Sequence, residues 1–544
     1  MNTVDPITVE VIGSALGSIV EEMGEALIRA SYSTNIKERR DCSTALFDTQ
    51  GRTLCQAEHI PMHLGSFIGI IPHIMKRHDL AAMRPGDVFV GNDAYEGGGT
   101  HLPDIVLAEP IFVAPKGAPP DDHGKIVAWA VNLAHHADFA DRGHAHIFQE
   151  GLRIPPIRLY RAGELQKDVQ ELILLNCQVP RERLSDLRAQ MASNRLGVAR
   201  MQALCAKYGT ETVLAATEAL LDYAERKMRA GIAAIPDGTY AFEDWHDNPE
   251  IDGQLRFTTE VTVNGDEMHL HFTSPPQVRA GLNMTYTALL STVYYAVKTL
   301  VDPTILPNAG LARPLDVTAD EGTVLNCTSP AAVNGRLGAC QRVVDLVHGA
   351  LAPAVPDRVT AAANGACVSA TFVGAQPDGS LWVYLETIGG GSGARATKDG
   401  LDGVHVHMTN TSNLPAEALE GEYPLTLLRY ELVDNSGGAG RQRGGMALRR
   451  VYRAEAPCRL RLDGARLRSA PWGLAGGADG ARGEFLIEGG SDFDHGQGTL
   501  AAGDIVTVIT PGAGGYGPAS ERTPEARARD IREGRLTAAA YQGA

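Results

Sequence analysis

Apolar residues near the start of the chain recur at spacings of three and four. The series follows Asp5, which can cap a helix, and Pro6, which suits a first helical position. Its members are Ile12, Leu16, Ile19, Val20, Met23 and Leu27. This spacing predicts an amphipathic helix from Pro6 to about residue 33.

The pattern changes to short alternating runs between residues 85 and 160. These runs predict strands with the sequences "DVFVGND", "DIVLAEPIFV", "IVAWAVNLAHHAD" and "IRLY". A Pro- and Gly-rich stretch, "APKGAPPDDHG", separates the second strand from the third and predicts a surface loop. From residue 164 to 233 the apolar spacing is helical again, until Pro236-Asp237-Gly238 interrupts it.

The second half of the chain mixes strands, two long helices and many glycines. Two alternating runs around Asn264-Gly265 predict a hairpin, and helices are expected at about 284–301 and 340–351. Glycine clusters at 389–393, 437–445 and 512–517 indicate turns and close packing rather than phosphate loops. The end of the chain predicts one or two short helices.

These patterns predict an α+β, multidomain protein. It has a mixed α/β N-terminal region, a helical middle and a β- and Gly-rich C-terminal half. We expect an N-terminal α/β region with the candidate site over 1–163 and a helical segment over 164–235. A mixed α/β domain over 236–435 and a β-rich region with a terminal helix over 436–544 complete the division. A chain of 544 residues is too long for one ordinary core.

Composition excludes several classes of function. The net charge of −16 argues against nucleic-acid binding through the overall field. No run of eighteen apolar residues and no basic, apolar leader is present, so neither a membrane span nor a secretory signal is expected. The eight cysteines are scattered without a Cys-x-x-Cys pair, which is typical of reduced thiols in a cytoplasmic protein.

Histidine is concentrated in one part of the chain. Ten of the seventeen histidines lie between residues 59 and 146, in "EHIPMHLGSF", "GTHLPD" and "NLAHHADFADRGHAH" among other segments. Histidines mixed with carboxylates suit Mn²⁺, Fe²⁺ or Zn²⁺. No cysteine lies within these three segments, which disfavours a structural zinc site.

Spacing narrows the candidates within this window. His101 and Asp104 flank a proline turn and can converge on one ion, although the pair taken alone favours a short polar turn without metal. His135 and His136 end a predicted strand, where neighbouring side chains face opposite ways, so only one of them should meet an ion. Asp41, ahead of the strand "STALFD", offers a second carboxylate.

Other catalytic motifs are missing from the sequence. It contains no Gly-x-x-x-x-Gly-Lys-Ser/Thr loop and no His-Glu-x-x-His pair. The string "GGSGA" around Ser392 misses the Gly-x-Ser-x-Gly pattern of a nucleophile elbow. His144 and His146 alternate and are interpreted as lining a wet strand face.

Longer strings resemble the hydantoinase B family, which corresponds to the B part of 5-oxoprolinase and is related to the metal-bearing subunit of acetone carboxylase. The matching strings span nearly the whole chain. They include "DPITVEVI", "ERRDCSTALFD", "HIPMHLGSF", "GNDAYEGGGTHLPDIVLAEPIF", "AHHAD", "EGLRIPPIRLY", "LPNAGLARPL", "ETIGGGSGARATKDGLDGVHVHMTNTSNLPAEALE" and "TPGAGGYGP".

The resemblance implies a metal site and a partner subunit. The family's metal ligands map onto His101, Asp104 and His135, and Asp41 falls where a further ligand is expected. The metal is one divalent ion, with Mn²⁺ preferred over Zn²⁺ or Fe²⁺. ATP and Mg²⁺ would bind to a hydantoinase A-type partner in an A2B2 or larger assembly.

The resemblance also implies a reaction. The partner phosphorylates a cyclic amide of hydantoin, N-methylhydantoin, oxoproline or lactam type, and this chain completes metal-assisted hydrolysis of that small molecule. His136 or Asp138 would act as general base or orient a ligand. One alternative is a subunit of an ATP-dependent ketone carboxylase of acetone or acetophenone type. Another is a scaffold with a structural metal.

Overall fold

The computed structural model describes residues 4–57, 59–115, 117–119, 122–137, 145–365, 367–489 and 491–541. Its α-helices are α1 (Pro6–Ala30), α2 (Thr34–Lys37), α3 (His63–Ser66), α4 (Ile70–Arg77), α5 (Lys167–Leu175), α6 (Pro180–Tyr208), α7 (Thr210–Ile232), α8 (Tyr286–Val301), α9 (Leu337–Leu351), α10 (Ala416–Glu422) and α11 (Pro524–Arg532).

Its strands are β1 (Cys42–Phe47), β2 (Thr53–Gln56), β3 (Val88–Gly91), β4 (Asp104–Val113), β5 (Lys125–His135), β6 (Ile157–Arg161), β7 (Glu164–Leu165), β8 (Gly238–His246), β9 (Leu255–Asn264), β10 (Glu267–Thr273), β11 (Leu315–Ala319), β12 (Val368–Ala375), β13 (Leu381–Ile388), β14 (Leu425–Leu432), β15 (Leu448–Ala454), β16 (Cys458–Asp463), β17 (Glu484–Glu488), β18 (Ser491–Asp494), β19 (Gln497–Leu500) and β20 (Ile505–Ile509).

The N-terminal sheet carries the predicted histidine-rich strands. Its seven antiparallel strands lie in the order β2-β1-β5-β4-β3-β6-β7. Helix α1 packs against α6, α7 and β1, and its apolar stripe is buried as the spacing predicts. The helix ends at Ala30, about three residues early, because the next residues become extended and the Tyr32 and Ser33 N–H groups donate to Asp186 Oδ1.

Helix α6 holds the centre of this sheet through buried amides. Gln190 Nε2 donates to Ile105 O (2.8 Å) and Asn132 Oδ1 (2.9 Å), and Asn194 Nδ2 donates to Leu107 O (3.1 Å). All of these amides are buried and satisfy one another, as polar groups in a core must. The network therefore fixes the lateral position of β4 and β5 under the helix.

A second sheet follows the helical middle, in the order β11-β10-β9-β8. Strands β9 and β10 form the hairpin that Asn264-Gly265 predicts. Helices α8 and α9 pack together, and α9 also packs against this sheet. Helix α9 begins at Leu337, three residues before the predicted start, and nearly all of its side chains are buried.

Two further sheets form the C-terminal part, ordered β13-β12-β16-β19-β18 and β14-β15-β20-β17. Strand β12 pairs with β16 across the predicted boundary at residue 435, so the four-domain division stays a prediction. The glycine clusters pack backbone against backbone: a Cβ on Gly391 would lie 2.1 Å from Gly445 O. This contact agrees with their interpretation as close packing.

The predicted α+β multidomain class is confirmed. Among the helices of the described ranges, none combines the length and the apolar character needed to cross a bilayer. The eight cysteines are free thiols, as their scattered positions predict.

Candidate metal centre

A cavity of about 420 Å³ lies where the N-terminal sheet meets the C-terminal half of the chain. Its polar end is built by Asp41, His63, His101, Asp104 and His135. The opposite walls come from segments that are distant in sequence. These segments lie within 334–338, 367–373, 385–387, 409–411, 459–463 and 497–499.

Three of the predicted ligands converge at this polar end. His101, Asp104 and His135, called the trio below, each offer one ligand atom, and these atoms lie within 4.8 Å of one another. Asp104 and His135 are direct partners in the β4–β5 register, so the sheet itself sets their spacing. His101 reaches them from the turn before β4, where Gly99 takes a φ of +122° that side chains rarely adopt.

The trio fits a divalent cation. His101 Nδ1 lies 3.0 Å from Asn334 Oδ1 and donates to it, which leaves the lone pair of Nε2 facing Asp104 Oδ1 at 2.9 Å. Asp104 Oδ1 and His135 Nδ1 are buried without a hydrogen-bond partner in the described residues. Because buried polar atoms are rarely left without partners, lone pairs aimed at one point are typical of a metal site.

The electrostatics keep Asp104 and His101 in the forms that bind a metal. Burial raises the pKa of the Asp104 carboxyl, but its interactions with the His101, His63 and Arg336 side chains outweigh burial and hold that pKa below its usual value. Arg336 Nη2 also donates to Asp104 Oδ2 (3.2 Å). Burial and the Arg336 charge lower the pKa of His101. An ionised carboxylate and neutral imidazoles are the forms that bind metal.

Asp41 lies on the same cavity but outside the trio. Its Oδ1 is 3.6 Å from His63 Nε2, and its Oδ2 is 3.8 Å from Arg39 Nη2. Its backbone oxygen accepts from His135 N (3.0 Å), which ties β1 to the end of β5. Asp41 as a fourth ligand therefore stays a prediction.

His63 is a residue of the site that the sequence did not single out. Its Nδ1 lies 2.9 Å from Ser43 Oγ, and its Nε2 lies 4.0 Å from Asp104 Oδ1. Burial lowers the pKa of His63 to about 4. The available signal was its place in the histidine-rich window, in the string "HIPMHLGSF".

His136 faces the opposite side of β5. The ring Nε2 of His136 lies 2.9 Å from Gln190 Oε1 on α6, and its backbone N–H donates to Pro103 O. His136 does not line the cavity. Burial lowers its pKa to about 3. This position suits the fixing of strand ends around the trio, and a catalytic role for His136 stays a prediction. Asp138, the other predicted catalytic residue, and His144 lie outside the described residues.

Comparisons with known proteins agree with this architecture. The Hydantoinase B/oxoprolinase family model matches residues 5–519. A protein of Pseudomonas sp. (strain NS671), named as the B chain of a putative D-/L-hydantoinase, is 33% identical, over 99% of this chain and 94% of its own length.

Solved structures show the same fold. The crystal structure of ATP-dependent caprolactamase from Pseudomonas jessenii matches with a TM-score of 0.88 and 30% identity, covering 98% of this chain and 95% of that chain. A nucleotide-free structure of acetone carboxylase matches with a TM-score of 0.89 and 18% identity, covering 99% of this chain and 79% of that chain. With the family model spanning almost the whole sequence, the chain belongs to the hydantoinase B/oxoprolinase family.

Proposed function

We propose that this chain is the B-type component of an ATP-dependent cyclic-amide hydrolase. The observation that carries the proposal is the trio itself. His101, Asp104 and His135 aim buried lone pairs into the cavity, and neither Asp104 Oδ1 nor His135 Nδ1 has a hydrogen-bond partner in the described residues. The likeness to a caprolactamase over nearly the full length of both chains supports the same activity class. The substrate is a hydantoin, N-methylhydantoin, oxoproline or lactam.

The proposal divides the reaction between two kinds of chain. A hydantoinase A-type partner binds ATP and Mg²⁺ and transfers a phosphoryl group to the amide oxygen, which makes the carbonyl carbon electrophilic. Relatives named as one component of a hydantoinase and as the beta component of a caprolactamase support such a partner. An A2B2 or larger cytoplasmic assembly completes the proposal.

The trio and Asn334 organise the polar end of the cavity. A divalent ion held by the trio, with Mn²⁺ preferred over Zn²⁺ or Fe²⁺, supplies Lewis-acid activation of water or of a carbonyl oxygen. Asn334 Oδ1 holds the proton of His101 on Nδ1, and Arg336 holds the second oxygen of Asp104. Both contacts orient a ligand of the metal.

His63 and Asp41 form the second polar pair and suit proton transfer. With its Nδ1 hydrogen bonded to Ser43, neutral His63 has its Nε2 available to accept a proton from the attacking water. Asp41, 3.6 Å from that atom, stabilises the resulting imidazolium. This role and the predicted role as fourth ligand differ in one observable: Asp41→Asn retains metal only in the first case.

The remaining walls suit a small, partly apolar ring. Ile60, Met62 and Leu337 supply apolar surface, while Thr387 and Thr411 supply hydroxyls. A cavity of about 420 Å³ with a few convergent polar groups is of the size that small molecules occupy.

The test uses the chain purified together with its A-type partner. His101→Ala should lose bound metal and ATP-dependent turnover of hydantoin or lactam substrates. His73→Ala is the control, because His73 lies on α4 outside the cavity and its ring hydrogen bonds to the backbone oxygen of Gly69, just before that helix. Metal loss with full turnover would establish the scaffold alternative. ATP consumption only with a ketone and bicarbonate would establish the carboxylase alternative.

A further inference from the structure

Strand β14 forms an open edge of the C-terminal sheet. In the described part of the chain it pairs with β15 only. Five consecutive residues, 428–432, are exposed, and three of them are apolar: Leu428, Tyr430 and Leu432, at 40%, 48% and 42%. The Leu432 side chain lies beside Gly403, two residues after Leu401, which is 58% exposed. A long apolar edge strand is a template for pairing with another chain.

The sequence of this edge is complementary to itself when it is read in the opposite direction about Tyr430. In "LLRYELV", residues 427–433, an antiparallel copy centred on Tyr430 places Arg429 opposite Glu431 and Leu428 opposite Leu432. The same pairing places Leu427 of one copy opposite Val433 of the other, and both residues are apolar. Directly opposed residues on paired strands point to one face, so the two Arg429–Glu431 pairs would form salt bridges.

The backbone of the edge has the orientation that such pairing needs. Val433 N donates to Ala447 O on the β15 side (2.9 Å). Because the N–H and C=O groups of successive residues alternate in direction, Glu431 also bonds toward β15. Tyr430 and Leu432 then direct their backbone groups toward the open side. The bulge between Leu427 and Arg429 ends before the charged pair, so Arg429–Leu432 is regular strand.

Helix α10 covers only the beginning of the edge. Glu420 Oε1 accepts the N–H of Leu427 (3.0 Å), which leaves the segment from residue 428 onward uncovered by α10. Arg429 and Glu431 are 3.7 Å apart within one chain, with side chains that are 63% and 42% exposed. Glu431 Oε1 also accepts a 2.7 Å hydrogen bond from Arg449 Nη1 on β15. Because the Arg429, Glu431 and Arg449 side chains are all partly exposed, Glu431 can keep this bond and add Arg429 of a second copy across a two-fold axis without desolvating a buried charge.

We propose that β14 pairs antiparallel with β14 of a second copy of this chain, with the two-fold axis at Tyr430. The pairing joins two four-stranded sheets into one eight-stranded sheet. It is isologous, because Arg429 of each copy meets Glu431 of the other. This surface is separate from the candidate metal centre, and the proposal does not depend on the reaction.

Charge reversal tests the pairing in the full chain by sedimentation velocity. The parent should sediment at twice the mass of one chain. Arg429→Glu and Glu431→Arg should each raise the dimer dissociation constant by about tenfold, because each puts two like-charge pairs directly opposite. The double variant restores opposite charges and should return the constant to within about threefold of the parent. Glu243→Arg, which reverses an exposed carboxylate on β8, should leave it unchanged.

A second measurement locates the axis. Tyr430→Cys places two thiols opposite each other at about 5.5 Å between Cα atoms, within disulfide range, so mild oxidation should link two chains. The oxidised parent, with its eight native cysteines, is the control. The proposal is overturned if the parent is monomeric at about 100 µM, if the double variant dimerises no better than the singles, or if Tyr430→Cys gives no linked dimer.

Discussion

Asp104 and His135 face each other across the β4–β5 ladder as direct register partners, and the carboxyl oxygen and ring nitrogen they aim into the cavity have no hydrogen-bond partner in the described residues. Replacing Asp104 by Asn keeps the shape but removes the only carboxylate of the trio. We expect bound metal to fall below stoichiometry and partner-dependent turnover to fall by at least about 100-fold.

Elemental analysis and turnover of the co-purified complex check this prediction. Asp378→Asn, in an exposed turn, is the control and should retain both properties. Stoichiometric metal in Asp104→Asn would contradict the assignment of Asp104 as a ligand.

The Asn334–His101 contact predicts a milder effect on the same site. Asn334→Ala removes the acceptor that holds the His101 proton on Nδ1, while the trio stays intact. Metal affinity should weaken by about 10- to 100-fold, as is usual for groups that orient a ligand. Competition with a metal-binding dye measures the affinity. Asn176→Ala, which loses an exposed bond at the end of α5, should bind metal like the parent.

Spacing in the sequence singled out His101 with Asp104 and left His135 and His136 as alternatives, and the family resemblance selected His135. The alternation of side chains along a strand predicts that only one of His135 and His136 meets an ion. In the structure the two side chains do face opposite ways: His135 lines the cavity, and His136 contacts α6. Which of the two faces the cavity depends on the pairing of β5 with β4, and nothing within "AHHAD" fixes that register.

The rest of the site could not be predicted, because it depends on contacts between distant segments. His63 reaches Asp104 because α3 packs against α8 and the His63 ring is held by Ser43 of β1. The sequence around His63 carries no metal-ligand spacing. Asn334 and Arg336 come from a loop more than two hundred residues after His101. Glycine clusters and strand alternation predicted sheets in the C-terminal half, but not that their edges would form the opposite wall of the cavity.

The buried hydrogen bonds of Gln190, away from the cavity, predict that its replacement lowers the free energy of unfolding. Gln190→Leu keeps the volume but removes the hydrogen bonds that Gln190 makes with Ile105 O, Asn132 Oδ1 and His136 Nε2. Unsatisfied buried groups each cost about 1–3 kcal/mol, so the urea midpoint should fall clearly, with a loss of at least about 2 kcal/mol. Gln202→Leu, which loses one exposed bond on the same helix, is the matched control and should shift the midpoint far less.

Glu109 predicts how the free energy of unfolding depends on pH. Burial on β4 raises the pKa of Glu109 to about 7 from its ordinary 4.5, although Arg195 opposes the change. The folded state therefore binds this proton more tightly, and the free energy of unfolding falls as pH rises from about 4.5 to 7. Glu109→Gln does not titrate and should lack this loss.

Denaturant unfolding at pH 5 and pH 8 checks the prediction. The free energy of unfolding of Glu109→Gln, relative to that of the parent, should rise from pH 5 to pH 8 by on the order of 3 kcal/mol. Glu488→Gln, at an exposed position of β17, should show no such growth. If the difference in free energy of unfolding between variant and parent is the same at pH 5 and pH 8, Glu109 is ionised in the folded protein at both pH values.

The walls of the cavity have a consequence for the order in which the site is made during translation. The trio is complete once β5 has been synthesised, but the wall segment at 497–499 emerges from the ribosome roughly 360 residues later, about 20 seconds or more at ordinary elongation rates. The ligands exist in the growing chain before the segments that enclose them. A metal ion that binds during synthesis therefore meets an open site. A metal ion that binds after release from the ribosome has to enter through the finished cavity.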